Sequence, residues 1–493
     1  MADFDLAVIG GGINGTGIAR DAAGRGLRVV LFEQGDLASG TSSASSKLIH
    51  GGLRYLEQYE FRLVRAALAE REVLLRSAPH LIRPLRFVLP LNAARRSPML
   101  VRLGLLLYDW IGRREILPGT RELDLATDPA GQPLRSIFNH AYEYSDCFAD
   151  DARLVVLNAV DAAERGAVIR PRTRCVRAER SEAWRLILNA RGQRDVVTAR
   201  VLVNAAGPWV ESIAETVLRQ APQSHVRLDK GSHIVVRKLY DHDRAYLLQG
   251  ADRRVVFAIP FAGDFTLIGT TDGPFVGNPA AVAPAAEEID YLCGMMNEYF
   301  RASIAVTDVV WAFAGVRALY ARGGKLQDIG REYALVLDEP AGKAPLLTVY
   351  GGKITTYRRL AEDVLDRLAR YFPPSRRWTA QSVLPGGDFA YDAMDQLVER
   401  TLQRWPFLTG AHARRLTRAY GTRVEGVLKD AARLDDLGQR FGADLTAVEV
   451  RYLIQKEWAH TADDVLWRRT KLGLRFSPAE HAALDAFMAK AGT

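Results

Sequence analysis

Cysteine is scarce: Cys147, Cys175 and Cys293 are the only three in 493 residues. Their number is odd and their spacing wide, which argues against a disulfide framework or a zinc site and fits a reducing compartment. No apolar run reaches the roughly 20 residues that a membrane-crossing helix needs. The most apolar stretch, MLVRLGLLLYDWIG at 99–112, is interrupted by Arg102 and Asp109. The opening MADFDLAVIGGG has no basic run or cleavage site, so no signal peptide is expected. Neither an internal repeat nor a low-complexity tract is found. With 48% hydrophobic and 25% charged residues the chain should fold rather than stay disordered. Acidic residues fall short of basic ones, leaving a net charge of +8 that favours anionic partners: small phosphates, nucleic acid or a lipid surface. The length exceeds the roughly 250 to 300 residues at which single cores stop growing, so two or three domains are expected.

What is present begins at once. Leu6 to Ile9 is a short apolar run that breaks into GGGING; a helical pattern follows, then LRVVLFE reads as a second strand ending at Glu33. Strand, glycine turn, helix, strand is the dinucleotide-binding unit. Gly10, Gly12 and Gly15 take the three fingerprint positions: tight turn, approach of a pyrophosphate to the helix N-terminus, and close helix–strand packing. Asn14 lies within the turn, and Glu33 stands where a carboxylate accepts hydrogen bonds from a ribose. FAD is favoured over NAD because the unit opens the chain and a hydroxyl-rich loop follows Glu33 almost directly. In that loop Thr41, Ser42, Ser43, Ser45 and Ser46 are placed to reach the pyrophosphate and the flavin. A later strand running into NAAGPW would bring Ala206 and Gly207 close to the same cofactor, and a strand near Val176 would pack beside the adenine.

These residues, with GGKITTYRRLA at 351–361 and the segments SKLIHGGLRYLE, KGSHIVV, IGTTDGP and AGVRALY, resemble the FAD-dependent glycerol-3-phosphate dehydrogenases of the aerobic, membrane-associated type. The resemblance covers most of the chain and thins toward the C-terminus. It implies an α/β fold: a glutathione-reductase-like FAD-binding domain, an inserted antiparallel-sheet substrate domain and a helical C-terminal domain. Residues 1–75, 150–215 and 330–384 are assigned to the first, 76–149 and 216–329 to the second, 385–493 to the third. The glycine pair of LPGGDF at 384–389 reads as the linker to the last.

Oxidising a secondary alcohol with a flavin requires a hydride to leave carbon while a base takes the hydroxyl proton and a cationic handle fixes the phosphate. Arg54 and Arg317 are the leading handles, because a guanidinium binds phosphate oxygens in pairs and stays charged. Arg331 and Lys353 are additions, and Tyr55 is placed at the substrate. For the base, His233 is favoured and His50 stands second. Gly352, Lys353, Thr355 and Thr356 would come to the flavin ring at the start of a helix, where backbone donors stabilise negative charge.

The expected reaction is oxidation of sn-glycerol 3-phosphate to dihydroxyacetone phosphate. The resemblance implies ubiquinone as acceptor and a monotopic protein on the cytoplasmic face of the cell membrane, with a homodimer compatible; no nucleic-acid partner or metal is expected. The alternatives are a glycerol-3-phosphate oxidase using oxygen, a related flavoprotein oxidising a hydroxy acid or amine, and a basic nucleic-acid- or membrane-binding protein that keeps flavin as a sensing ligand.

Overall fold

The structure, a computed structural model, describes residues 2–53, 56, 59–91, 98–112, 115–222, 224–321, 329–330 and 333–491. Arg54, Tyr55 and Arg331 lie outside the described residues.

Two sheets share the work. In the first, the strand Phe4–Ile9 lies between Val29–Phe32 and Gln193–Asn204, parallel to both. Val168–Arg170 extends one edge, while Leu346–Tyr350 and Ala334–Asp338 extend the other. The hairpin Thr173–Arg180/Trp184–Ala190 folds off this sheet through Gln193–Asn204. The central strands are apolar and buried where they approach the cavity, Leu6–Ile9, Val29–Phe32 and Val201–Val203, because helices Ile13–Gly24, Asp151–Glu164 and Tyr357–Arg367 cover one face and the hairpin covers the other.

The second sheet runs Val309–Ala321, Val226–Arg237, Phe265–Gly269, Val255–Phe261, Ala245–Gln249, Ile82–Pro90 and His140–Ala149, with short strands at its edges. Among the described residues its pairings are antiparallel with one exception: Ala245–Gln249 meets Ile82–Pro90 in parallel. The sheet is therefore mixed, since strands from two separate stretches of chain join at that point. The two-residue strand Leu48–Ile49, inside the segment assigned to the FAD domain, pairs here with Phe148 and Cys147.

After residue 384 the chain is largely helical, with its own core around Leu416, Val450, Leu453 and Leu466. The glycine pair before it is not a loose tether. Leu384, Pro385, Gly386 and Gly387 are buried, and Cβ atoms at Gly386 and Gly387 would stand 2.1 Å from the Tyr420 carbonyl and 2.7 Å from the Ser77 carbonyl. The glycines let three backbones meet in a packed junction.

Candidate active site

The first sheet's parallel strands end at Ile9, Phe32 and Asn204, and there a cavity of about 1170 Å³ opens between the two sheets. That exceeds the roughly 300 to 1,000 Å³ of a single-ligand pocket. Its walls hold most of the residues singled out above: Gly10, Gly12, Asn14, Glu33, Thr41, Ser42, Ser43, Ser45, Ser46, His50, Ala206, Gly207, His233, Arg317, Gly352, Lys353 and Thr355.

At one end the glycine turn behaves as a cradle. Gly10 holds φ +118°, and a Cβ there would meet the Ala205 carbonyl at 2.6 Å; a Cβ at Gly15 would sit 1.9 Å from the Gly10 carbonyl. Gly12 instead faces the cavity, with Ser42 Oγ its nearest neighbour at 3.2 Å from such a Cβ. Helix Ile13–Gly24 starts there with no acidic residue in its first turn, leaving N–H groups and the positive end of its dipole for an anion. The Glu33 carboxylate accepts from the N–H groups of Gly11 (2.8 Å) and Gly35 (2.7 Å), which presents it rigidly to the cavity; burial raises its pKa against those bonds. Asn14 Nδ2 donates to the Gly351 carbonyl at 3.1 Å, joining the two glycine motifs, and its buried Oδ1 is left without a hydrogen-bond partner. An anion-seeking helix end, a fixed carboxylate for hydroxyls and an orphaned acceptor together match the pyrophosphate, ribose and ring amide of a flavin dinucleotide.

The hydroxyl loop divides its labour differently from expectation. Ser42 Oγ accepts from the Ile13 N–H at 3.0 Å and keeps its own proton for the cavity, and Thr41 donates to the Val316 carbonyl at 2.5 Å. Ser45 is occupied on both sides: it donates to Asp151 (2.8 Å) and accepts from the Lys47 N–H (2.9 Å), beneath a buried Lys47–Asp151 ion pair at 2.8 Å. Burial alone would raise the Asp151 carboxyl, but the Lys47 and Lys471 cations with the hydrogen bonds from Lys47 and Ser45 together hold it below the usual range.

The other end of the cavity is built by alternation. Arg227, Asp229, Gly231 and His233, two residues apart on one strand, share a sheet face. Across the register His233 opposes Phe313, and Asp229 opposes Arg317. Arg317 is half exposed and bonds Asp272 at 2.5 Å; a Cβ at Gly231 would stand 2.6 Å from Thr270 Oγ1 and 3.1 Å from the Thr271 carbonyl, so the glycine clears room for that turn beside the guanidinium. His233 Nε2 lies 2.9 Å from Ser46 Oγ. Burial, with the Lys47 and Arg317 cations adding, lowers the His233 pKa to about 3. Burial lowers His50 as well, with the Lys353 cation adding to it.

Two expectations need correction. Val176 does not line the cavity: it is the bulged residue between Cys175 and Arg177, 37% exposed, and Thr173, Arg174 and Cys175 hold the wall instead. Thr356 is buried beneath the wall that Thr355 forms. Missed altogether were Thr270, Asp272, Trp311 and Phe313; a period-two reading of VVWAFAGVRAL beside RLDKGSH would have put the last two on the face of His233 and Arg317.

The chain matches known proteins over nearly its whole length. Residues 5–358 match the family "FAD dependent oxidoreductase" and residues 377–491 match "C-terminal domain of alpha-glycerophosphate oxidase". A glycerol-3-phosphate dehydrogenase of Pseudomonas aeruginosa is 50% identical over 489 residues, covering 98% of this chain and 95% of that protein. A D-erythritol 1-phosphate dehydrogenase of Brucella abortus is also 50% identical, over 484 residues, covering 97% and 96%. The structure of a glycerol-3-phosphate dehydrogenase from Bacillus halodurans complexed with FAD shares the fold with a TM-score of 0.77 at 26% identity, covering 99% of this chain and 89% of that one.

Proposed function

Because the chain belongs to the FAD dependent oxidoreductase family and stands with the glycerol-3-phosphate dehydrogenases within it, we propose that it oxidises the secondary hydroxyl of glycerol 3-phosphate, with FAD as cofactor. The observation that carries this is the pairing of a cation and an acid–base group on one wall. Arg317 and His233 sit four residues apart across paired strands, about 13 Å along the sheet. The long arginine side chain spans much of that, leaving a gap of small phospho-alcohol size beside the cofactor cradle.

Bound FAD supplies the hydride acceptor, held by the Gly12 turn, Glu33, Ser42, Asn14, Gly207 and Gly352. The protein supplies the rest. Arg317, with Lys353 across the cavity, takes the phosphate dianion. That dianion offsets the Arg317 charge, one of the causes that hold His233 neutral, so substrate arrival itself raises the basicity of the imidazole. The hydroxyl proton then passes to His233 Nε2 with the Ser46 hydroxyl as its neighbour. His50, lowered by burial with the Lys353 cation adding to it, stays neutral and donates or accepts at the cavity wall beside Phe257.

The electrons leave to a quinone in the bilayer. The helix Pro98–Ile111 supports this: Met99 (79%), Leu103 (63%) and Trp110 (79%) face solvent while Val101, Leu105 and Tyr108 pack inward. Among the described residues no helix is long and apolar enough to cross a membrane. An apolar face of that kind lies on a lipid surface at the depth of the headgroups.

A second reading has its own support, the equal identity to a D-erythritol 1-phosphate dehydrogenase. The experiment is anaerobic mixing of the oxidised protein with glycerol 3-phosphate or with D-erythritol 1-phosphate, following flavin absorbance. Faster bleaching by the three-carbon substrate is expected, and Arg317→Ala should need about ten- to a hundredfold more of it. Faster bleaching by the four-carbon substrate overturns the assignment in favour of the second reading. Hydrogen peroxide formed at the rate of turnover in air would replace quinone by oxygen as acceptor.

A further inference from the structure

His233 lacks the usual second anchor of an acid–base histidine. Its Nε2 is bonded to Ser46, but Nδ1 is buried with no hydrogen-bond partner among the described residues. A carboxylate or carbonyl on that nitrogen is the common means of fixing the ring. With one hydrogen bond the imidazole can swing about it, so its plane must be set by packing.

Two cross-strand neighbours do this. Gly269 opposes His233 on one side, where a Cβ would stand 2.1 Å from His233 Cδ2. Phe313 opposes it on the other, its ring parallel to the imidazole at 4.9 Å and 9°. Behind Phe313 the stack continues through Trp311 (4.4 Å) to Trp467 (4.7 Å, 28°). Trp311 and Phe313 form cavity wall, so this stack is not a closed core.

Trp467 belongs to the C-terminal region, in a π-helical turn, Asp464–Arg469. Such turns are rare and gather at functional sites. Its ring is backed by Gly473, where a Cβ would lie 2.6 Å away. The next two residues lock the turn to the cofactor side: Arg468 and Arg469 bind Asp36, at 2.5 and 2.8 Å, three residues beyond Glu33. The turn can neither slide nor rotate without breaking those pairs.

We propose that Trp467 is a positioning residue for His233: through the Trp467–Trp311–Phe313 stack, the C-terminal region holds the imidazole against Gly269 and sets the direction in which Nε2 meets the substrate. The inference rests on His233 as the proton acceptor. It gives the C-terminal region a part in the reaction although none of its described residues lines the cavity.

The test uses the FAD-loaded full chain with Trp467→Ala and Trp467→Phe. In stopped-flow reduction by glycerol 3-phosphate, the alanine variant should lose about ten- to a hundredfold in limiting rate, as expected of a misaimed base, with substrate affinity changed less than about threefold. The phenylalanine variant, which keeps a ring face, should return to within about threefold of the parent. An alanine variant at the parent rate overturns the proposal, as does a loss that phenylalanine does not restore or one that resides in affinity alone. If the alanine variant does not fold, Trp467→Leu takes its place with the same expectations.

A second readout needs no substrate. Ser46, Lys47, Asp151 and Arg317 face the His233 ring. In holoenzyme with 15N-labelled histidines, assigned through His233→Asn, the ring should be neutral at about pH 5.5 in the parent and protonated in the alanine variant as water reaches it. An unchanged His233 signal sinks the inference. Failure of any phospho-alcohol to reduce the parent flavin would instead sink the substrate reading and leave this second readout to decide.

Discussion

Gly12 and Gly15 stand three residues apart in one motif and should fail in opposite ways when given a methyl group. At Gly15 the new Cβ would collide with the Gly10 carbonyl at 1.9 Å. Backbone must move, so Gly15→Ala should destabilise the protein by roughly 1–3 kcal/mol or more even without cofactor. At Gly12 the backbone is extended, with φ −84°, and the nearest protein atom is a movable hydroxyl. Gly12→Ala should melt close to the parent when free of cofactor yet bind FAD on the order of tenfold more weakly, because the methyl stands where a pyrophosphate approaches. Flavin content and apo-protein melting, measured side by side, separate the two. Roles of this kind were legible because fixed spacing in the chain dictates them. Ser45 was not, since its partners Asp151 and Lys47 come from a fold contact 106 residues away and from its own backbone turn. Val176 was misread because a one-residue bulge turns its side chain outward, and nothing in the local sequence announces a bulge.

At the scale of elements, Pro98–Ile111 shows a pattern half visible in advance. The run is apolar, but a buried segment and a surface helix share that composition; the difference lies in which face the rest of the protein covers. Tyr108 settles it. Its hydroxyl accepts from the Gly51 N–H at 2.8 Å and donates to Asp146 at 2.9 Å, which pins one face and leaves Met99, Leu103 and Trp110 outward. Each large apolar side chain that enters a lipid surface contributes roughly 1.5–3 kcal/mol. Leu103→Glu with Trp110→Ser should therefore reduce partitioning onto anionic phospholipid vesicles by about a hundredfold or more. Flavin reduction by substrate in solution should stay at the parent rate, because the pinned face is untouched. Retained vesicle binding in the double variant would move the lipid contact elsewhere on the surface. The strands carrying His233 and Arg317 were expected as parts of the antiparallel sheet that the family resemblance implies. Their pairing was not, because register is set between distant segments and decides which side chains share a wall.

For the whole molecule, the junction at Gly386 and Gly387 makes a prediction about acid. His80 is buried there beside Phe389, and burial, aided by the Arg153 and Arg423 cations, lowers its pKa to about 3. In the unfolded chain the imidazole titrates near its ordinary value of about 6.5. Between those two values the unfolded state binds a proton that the folded state refuses, so stability is intact above about pH 6.5 and falls as the pH drops toward 3. At pH 5 one such histidine accounts for about 2 kcal/mol. His80→Gln removes the titration while leaving a polar group, so it should lose stability at neutral pH and then show a flatter decline between about pH 6.5 and 4. Denaturant melts at several pH values read the slope directly, and equal slopes for parent and variant would remove His80 from the account. His233 carries the same sign of linkage. The Asp464 carboxyl, which opposes burial through the His460 N–H and its Arg172 and Arg468 partners, lies well below the usual range and holds the C-terminal turn in place to lower pH. Mild acid should thus weaken the packed junction before it weakens the Asp464 contacts of that turn. A protein brought to about pH 5 should lose protection from proteolysis around residue 386 while still retaining its flavin.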